Sequence, residues 1–515
     1  MCPLQTGVYC RLSLIFVLSA SMFFIDVFVV KWVCTDQTGN DTFSHETPGK
    51  NVSHQTSDAN RTVWKTLEEN SNRSACLESK LLSYGQIMYM TGLLVGSLFA
   101  GALADRYGKK IILVGTCVVQ ALTALMSAFT TNGIFHLAAR LICGITCCGI
   151  NISSFSLGVE WSLPKYRMWP PALLSFSFSI GMMGLAAIAF LTSDWQQFHL
   201  AIAVPQILCL PICFFIPESP RWLMMNGRFR TLEKYRSRSK EDKESLDLIL
   251  GTMEGEMQHS VAQRCETEKQ SDLQHFKSQT IILRLCVMSY ISLASALTYF
   301  GICFNVGNFG VNIYLAQFFS GLSEAPTLAV PFLLTWCGRR SFSMAFLLMS
   351  GSACLLSLLV SKFCDMPALV LTLALMGKLC MQTTVFVSVL YGIELFPTVI
   401  RQKCVGFVNL WYRIGCILNT LLSPAGGISL GAMICYGSGP IVGSGLCLLL
   451  PETSGIPLPD TVKDCERQSR FSFFWERQPE KYTDKEVPFL KNDKPPEQDQ
   501  EATEEEKASF MMSDL

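Results

Sequence analysis

A chain of 515 residues with 41 basic and 41 acidic side chains has no surplus positive charge with which to hold a nucleic acid. Half of its residues are hydrophobic and only 16% are charged, and the apolar residues arrive in blocks too long for the core of a soluble domain. An all-α polytopic membrane protein is expected, and its 22 cysteines, most of them inside those blocks, read as small hydrophobes without a redox message.

The first block, Leu12–Trp32, is long enough to cross a bilayer and lacks the small-residue cleavage site of a signal peptide, so it is expected to stay as the first span, with Asp26 inside it. The polar loop after it, 33–81, carries glycosylation sequons at Asn40, Asn51, Asn60 and Asn72 between Cys34 and Cys76. These sequons place the loop on the lumenal or extracellular side, and the two cysteines are candidates for a disulfide across it. Leu82–Ala104 and Ile111–Phe129 then form a hairpin of spans, each near the ~20 residues that a helix rising ~1.5 Å per residue needs to cross ~30 Å of hydrocarbon. In the turn between them Gly108 permits a tight bend, Asp105 can accept hydrogen bonds from a neighbouring helix start, and Arg106, Lys109 and Lys110 mark the cytosolic side.

Further spans are expected at about Ile134–Leu157, Trp169–Leu191 and Phe198–Phe215, closing a first unit at residue 220. Residues 221–280 turn charged, with helix-forming stretches such as Arg230–Met253, and read as a cytosolic linker with surface helices. A second unit, 281–455, holds spans at about Ile281–Phe304, Asn312–Leu334, Ser341–Val360, Pro367–Leu390, Gly406–Leu422 and Ala432–Leu450. With about twelve spans both termini fall on the cytosolic side, and the polar, Pro- and Glu-rich tail 456–515 is expected to be disordered.

The chain repeats itself. Glu160 and Arg167 answer Glu394 and Arg401, and Pro217-Glu218-Ser219 answers Pro451-Glu452-Thr453, each at an offset of 234 residues. Gly108-Lys109-Lys110 answers Gly338-Arg339-Arg340 at an offset of 230. Two six-helix units repeated in the same orientation imply two bundles facing each other around a cavity at mid-membrane, the architecture of an alternating-access carrier.

The stretch Gly101-Ala102-Leu103-Ala104-Asp105-Arg106-Tyr107-Gly108-Lys109-Lys110 resembles the signature loop of the major facilitator superfamily. Together with Pro217-Glu218-Ser219-Pro220-Arg221-Trp222-Leu223, Glu394-Leu395-Phe396-Pro397-Thr398-Val399-Ile400-Arg401 and the large sequon-bearing loop, it makes the chain similar to solute carrier family 22, and within it to the organic-cation-transporter-like subgroup that includes members 13 and 14. The resemblance implies a plasma-membrane carrier of small organic ions, working in the lipid bilayer with a coupling or exchange ion and no cofactor. It also implies gating roles for Asp105, Arg106, Gly108, Glu160, Arg167, Arg339, Arg340, Glu394 and Arg401. One departure stands out: Thr335 and Trp336 replace the Asp-Arg of the second signature, so a looser second gate is expected.

Charges inside spans carry the information about substrate, because each costs ~2.5–3.5 kcal/mol to place there and so faces a cavity or a partner. Arg413 lies twelve residues beyond Arg401, ~18 Å from the inner edge, and Lys378 and Glu324 fall at similar depth. In the resembled family the position of Arg413 is basic in anion carriers, and a guanidinium offers a planar fork to a carboxylate or enolate. Its alternative is a pair with Glu324. Lys378 is either a ligand or a counter-ion to Asp26 or Glu324, and Glu324 either receives a substrate amine or is paired. Tyr299 and Phe300 match paired aromatics of the seventh helix that stack on a flat ring, with core packing as the other possibility, and Tyr412 flanks Arg413. Arg140, near the outer end of its span, snorkels or pairs.

The expectation is thus a carrier for small organic anions, aromatic or vitamin-like, such as nicotinate, urate or riboflavin. A cation or zwitterion carrier using Glu324 and Asp26 is the runner-up, and a non-transporting receptor is a remote third. No metal-ligand spacing, phosphate loop or nucleophile motif supports an enzyme.

Overall fold

The computed structural model describes residues 3–28, 84–130, 132–163, 166–192, 194–237, 242–244, 246–251, 278–363, 366–397, 400–422, 430–453, 459 and 465. The four sequons, Cys34 and Cys76, much of the linker and nearly all of the tail lie outside these residues. Among the described residues every regular element is helical. The first half contains α1 (Pro3–Phe23), α2 (Gly85–Tyr107), α3 (Lys109–Phe129), α4 (Gly133–Glu160), α5 (Trp169–Leu191) and α6 (Trp195–Phe214). Two short helices follow, α7 (Pro220–Met225) and α8 (Phe229–Arg236). The second half contains α9 (Gln279–Phe304), α10 (Ile313–Leu322), α11 (Val330–Trp336), α12 (Arg339–Phe363), α13 (Pro367–Leu395), α14 (Arg401–Leu422) and α15 (Leu430–Cys447).

Among the described residues ten helices are long and apolar enough to cross a membrane. The eighth crossing corrects the sequence expectation of one continuous span over Asn312–Leu334: α10, a 3₁₀ turn (Ala325–Ala329) and α11 run in succession instead. Pro326 opens the turn and Pro331 opens α11, and neither has an N–H with which to carry the α-helical ladder through. The Glu324 amide therefore bonds three residues back, to the Gly321 carbonyl at 3.1 Å. A break of this kind inside a membrane segment is stable only where protein surrounds it, and it puts Glu324, 1% exposed, at the bend.

Helices pack closely where small residues meet. A Cβ on Gly92 of α2 would lie 3.0 Å from the Gly144 Cα of α4, so these backbones touch across the crossing. The two halves meet through aromatic rings at the end of the bundle remote from the signature loops: Phe23 stacks on Phe300 at 5.8 Å, and Phe28 stacks on Tyr314 at 5.6 Å. Along the flank, the Ser179 hydroxyl of α5 donates to the Gly321 carbonyl of α10 at 2.5 Å. At the signature-loop end the linker is docked under the first half, where Leu232 and Leu246 pack with Leu4, Trp161 and Trp222, and the Leu4 amide donates to Asp242 Oδ1 at 3.2 Å.

Candidate functional site

Lys378, from α13, is fully buried and has three donors, and the structure gives each an acceptor. Its Nζ lies 2.8 Å from Glu324 Oε1, 2.8 Å from the Ser320 carbonyl and 2.7 Å from Ser320 Oγ. The Tyr299 hydroxyl donates to the same Glu324 oxygen at 2.6 Å, and its ring centroid is 5.5 Å from the ammonium. The bend in the eighth segment thus holds a closed ion pair between α9, α10 and α13. The alternatives the sequence left open for Lys378 and Glu324 resolve to their mutual pair. Asp26 is elsewhere, bound by Arg140 at 2.6 Å, so it is not the counter-ion of Lys378.

Arg413, on α14, is different. It is half-buried, its guanidinium lies 5.9 Å from the Tyr412 ring centroid, and it makes no hydrogen bond or ion pair among the described residues. The Arg413–Glu324 pair is not formed, since Glu324 is engaged by Lys378 and Tyr299. Cys147 and Cys148 of α4 in the opposite half lie within electrostatic reach of the guanidinium. Tyr412 packs on Phe300 at 6.2 Å, and Phe300 stacks in turn on Phe23 of α1 and on Phe304 at 5.5 Å. Arg413, Tyr412 and Phe300 therefore stand where the second half faces the first, with one guanidinium charge uncompensated among the described residues. Two cavities, of about 30 and 20 Å³, lie inside the individual halves and are water-sized, too small for an organic ion.

The signature loops form two matching networks. In the first, the Lys109 and Lys110 amides at the start of α3 donate to Glu218 at 3.0–3.2 Å, Lys109 Nζ pairs with Glu160, and Ser219 Oγ donates to Glu160. In the second, the Arg339 and Arg340 amides donate to Glu452 at 2.8 and 3.1 Å. Arg339 Nε lies 3.3 Å from Glu394, and Thr453 Oγ1 donates to Glu394 at 2.6 Å. A carboxylate against the unsatisfied amides of a helix start is favoured by both hydrogen bonding and the helix dipole. Gly108, at φ +103°, is required here, because a Cβ would fall 2.6 Å from Glu218 Oε2 as well as strain the backbone. The Glu218 amide donates to the Tyr235 hydroxyl at 3.3 Å, and burial pushes that phenol above its ordinary range.

This corrects the role read for Asp105. Its side chain is exposed, its carbonyl accepts from Trp222 Nε1 at 2.9 Å, and the carboxylate that receives the helix start belongs to Glu218. Glu160 and Glu394 are engaged by Lys109 and Arg339, while Arg401 Nε donates to the Phe396 carbonyl at 3.1 Å. Arg106 lies 5.5 Å from the Tyr107 ring, and Arg167 is half-buried at the same end. None of the contacts named here joins the first half to the second.

Residues 12–458 match the Sugar (and other) transporter family. Organic anion transporter 3 of Oryctolagus cuniculus is 32% identical over 400 residues, 76% of this chain and 72% of that one. Solute carrier family 22 member 6 of Pseudopleuronectes americanus is 31% identical over 392 residues, 74% of this chain and 68% of that one. The chain belongs to solute carrier family 22. Member 13 of Homo sapiens is 29% identical over 394 residues, 76% of this chain and 70% of that one. The inward open xylose transporter XylE from E. coli superposes with a TM-score of 0.61 at 15% identity, over 90% of this chain and 99% of that one. That likeness shows the major facilitator superfamily fold. For this solute carrier the sequence quoted Glu218, Ser219, Glu452 and Thr453 as motif residues without giving them a task. The ring contact of Phe28 with Tyr314 was not foreseen at all. A polar residue at the end of a first-half or second-half repeat was the available signal for the former; the latter has none in sequence.

Proposed function

We propose that this solute carrier moves small organic anions, aromatic or vitamin-like in the manner of nicotinate, urate or riboflavin, across the plasma membrane by alternating access. The signature-loop end and both termini are then cytosolic, as the positive-inside pattern expects. One observation carries the reading: of the cations at mid-depth in the second half, Lys378 is neutralised by Glu324 and Arg413 is not, so the face presented to the other half has a positive centre. In this reading Arg413 takes the carboxylate or enolate, Phe300 and Tyr412 contact the ring, and Tyr299, Lys378 and Glu324 hold the wall behind them. The organic anion transporter named among its relatives supports the same charge.

A cation or zwitterion carrier would need a free acid, and both candidates are engaged, Glu324 by Lys378 and Asp26 by Arg140. The test is uptake of labelled nicotinate, urate and riboflavin by cells displaying the chain, normalised to surface protein. Arg413→Asp is expected to abolish uptake of whichever anion is carried. Undiminished uptake by that variant overturns the assignment, and transport of cations alone by the natural chain selects the alternative.

A further inference from the structure

At the end of the first half remote from the signature loops, a second group of buried ionisable side chains plays no part in the site above. Arg140 donates to Asp26 Oδ2 from Nη2 at 2.6 Å and from Nε at 3.0 Å, and to the Met22 carbonyl from Nη1 at 2.7 Å. Met22 lies in the last turn of α1, where carbonyls have no helical partner, so Arg140 is a three-point clamp on the end of a broken helix. Just past the break the chain tightens, with Val27 and Phe28 amides bonding three residues back. The clamped segment carries the aromatic seal: Phe23 on Phe300, Phe24 on Phe304 and Phe28 on Tyr314.

Two histidines sit against this clamp. His136 Nε2, one helical turn before Arg140 on α4, is 3.9 Å from Asp26 Oδ1, and the His199 ring of α6 is 6.0 Å from the His136 ring. Both are 2% exposed. Neither His136 nitrogen, nor His199 Nε2, Asp26 Oδ1, Tyr89 Oη or the Gln86 amide has a hydrogen-bond partner among the described residues. The groups facing the imidazoles are Asp26 from the segment just past α1, Arg140 from α4, and the Trp195 indole from α6, which is turned to the Ser127 carbonyl of α3; Tyr89 of α2 and Cys143 of α4 face Arg140 in turn. One carboxylate and one guanidinium balance only while both rings are neutral. A proton would leave a net positive charge in a dry pocket beside Arg140, and so many unsatisfied atoms would draw water to it.

We propose that His136 and His199 form a proton-binding site, and that a proton bound there loosens the hold of Arg140 on the end of α1 and opens the aromatic seal between the halves. The inference does not depend on which anion is carried. A hydrated imidazole takes its proton near pH ~6.5, so if the open form alone binds it, acidification from pH 7.5 to 5.5 raises the ratio of open to closed seal about tenfold.

The seal itself can be read without substrate. With p-benzoylphenylalanine in place of Phe28 in the full chain in lipid nanodiscs, irradiation should link position 28 to the peptide bearing Tyr314, quantified by mass spectrometry. The link yield is expected to fall between pH 7.5 and 5.5, by about twofold where roughly one chain in nine is already open at pH 7.5 and by more where the open share is larger. His136→Gln/His199→Gln should keep the neutral-pH yield at both pH values. A yield in the otherwise natural chain that is flat with pH overturns the proposal with no variant needed. An acid response that survives in the double variant also overturns it, because the proton then binds elsewhere. Should that variant elute as aggregate, His199→Gln alone is judged by the same criterion.

Discussion

Lys378 and Arg413 lie at similar depth in the same half and carry the same charge, yet the structure treats them oppositely. Lys378 is enclosed by three acceptors at 2.7–2.8 Å, with a carboxylate among them. Arg413 makes no hydrogen bond or ion pair among the described residues; the Tyr412 ring lies 5.9 Å away, with Cys416 on its own helix and Cys147 and Cys148 of the other half within electrostatic reach. A buried charge that is matched belongs to the scaffold, and one that is unmatched needs an occupant to match it. Depth along a helix, which sequence gives, is therefore the weaker guide to a binding role; the stronger one is the count of donors already used.

The comparison breaks most readily at Lys378. Lys378→Met would leave Glu324 without its counter-charge at the bend of the eighth segment, a loss of about 3–5 kcal/mol that should show as failed folding or a large fall in thermal stability of the purified protein. Lys378→Met/Glu324→Met should recover most of it, since an apolar pair of similar volume is often neutral. If the single variant were as stable as the parent, Lys378 could not be sealed as described. Arg413 should behave in reverse. Arg413→Ala deletes no partnered group, so its stability is expected within about 0.5–1 kcal/mol of the parent, while anion uptake per surface molecule falls roughly 10–100-fold, the worth of a charge-assisted hydrogen bond to the guest.

How far the sequence reached follows the same division. Long apolar runs fix where helices cross, because a bilayer demands a minimum length, and the repeat offsets tie Lys109 to Arg339 and Glu160 to Glu394 before any geometry is known. What pairs with what is tertiary. Glu218 reaches back 109 residues to cap α3, so the task given to Asp105 from its position in the turn fell to another carboxylate. The second loop keeps the same cap through Glu452 although Thr335 and Trp336 stand in place of the acid and base, which locates the shared element in the amide clamp. Pro326 and Pro331 mark the break in the eighth segment, whereas its length from Asn312 to Leu334 is that of one full crossing.

The two tyrosines beside these cations sharpen the contrast with the smallest effects. Tyr299 donates its hydroxyl to Glu324 at 2.6 Å in the sealed pocket, so Tyr299→Phe removes one bond to a buried carboxylate whose Oε2 already lacks a partner among the described residues. A stability loss of about 1.5–3 kcal/mol is expected, with little change in the apparent affinity for the anion. Tyr412 offers its ring to Arg413 and Phe300, and Tyr412→Phe keeps that ring. Stability should then change by less than about 0.5 kcal/mol, and uptake should stay within about twofold. Equal destabilisation by the two changes, read as thermal midpoints of the purified variants, would mean that both hydroxyls serve the scaffold and that the face around Arg413 is as closed as the one around Lys378.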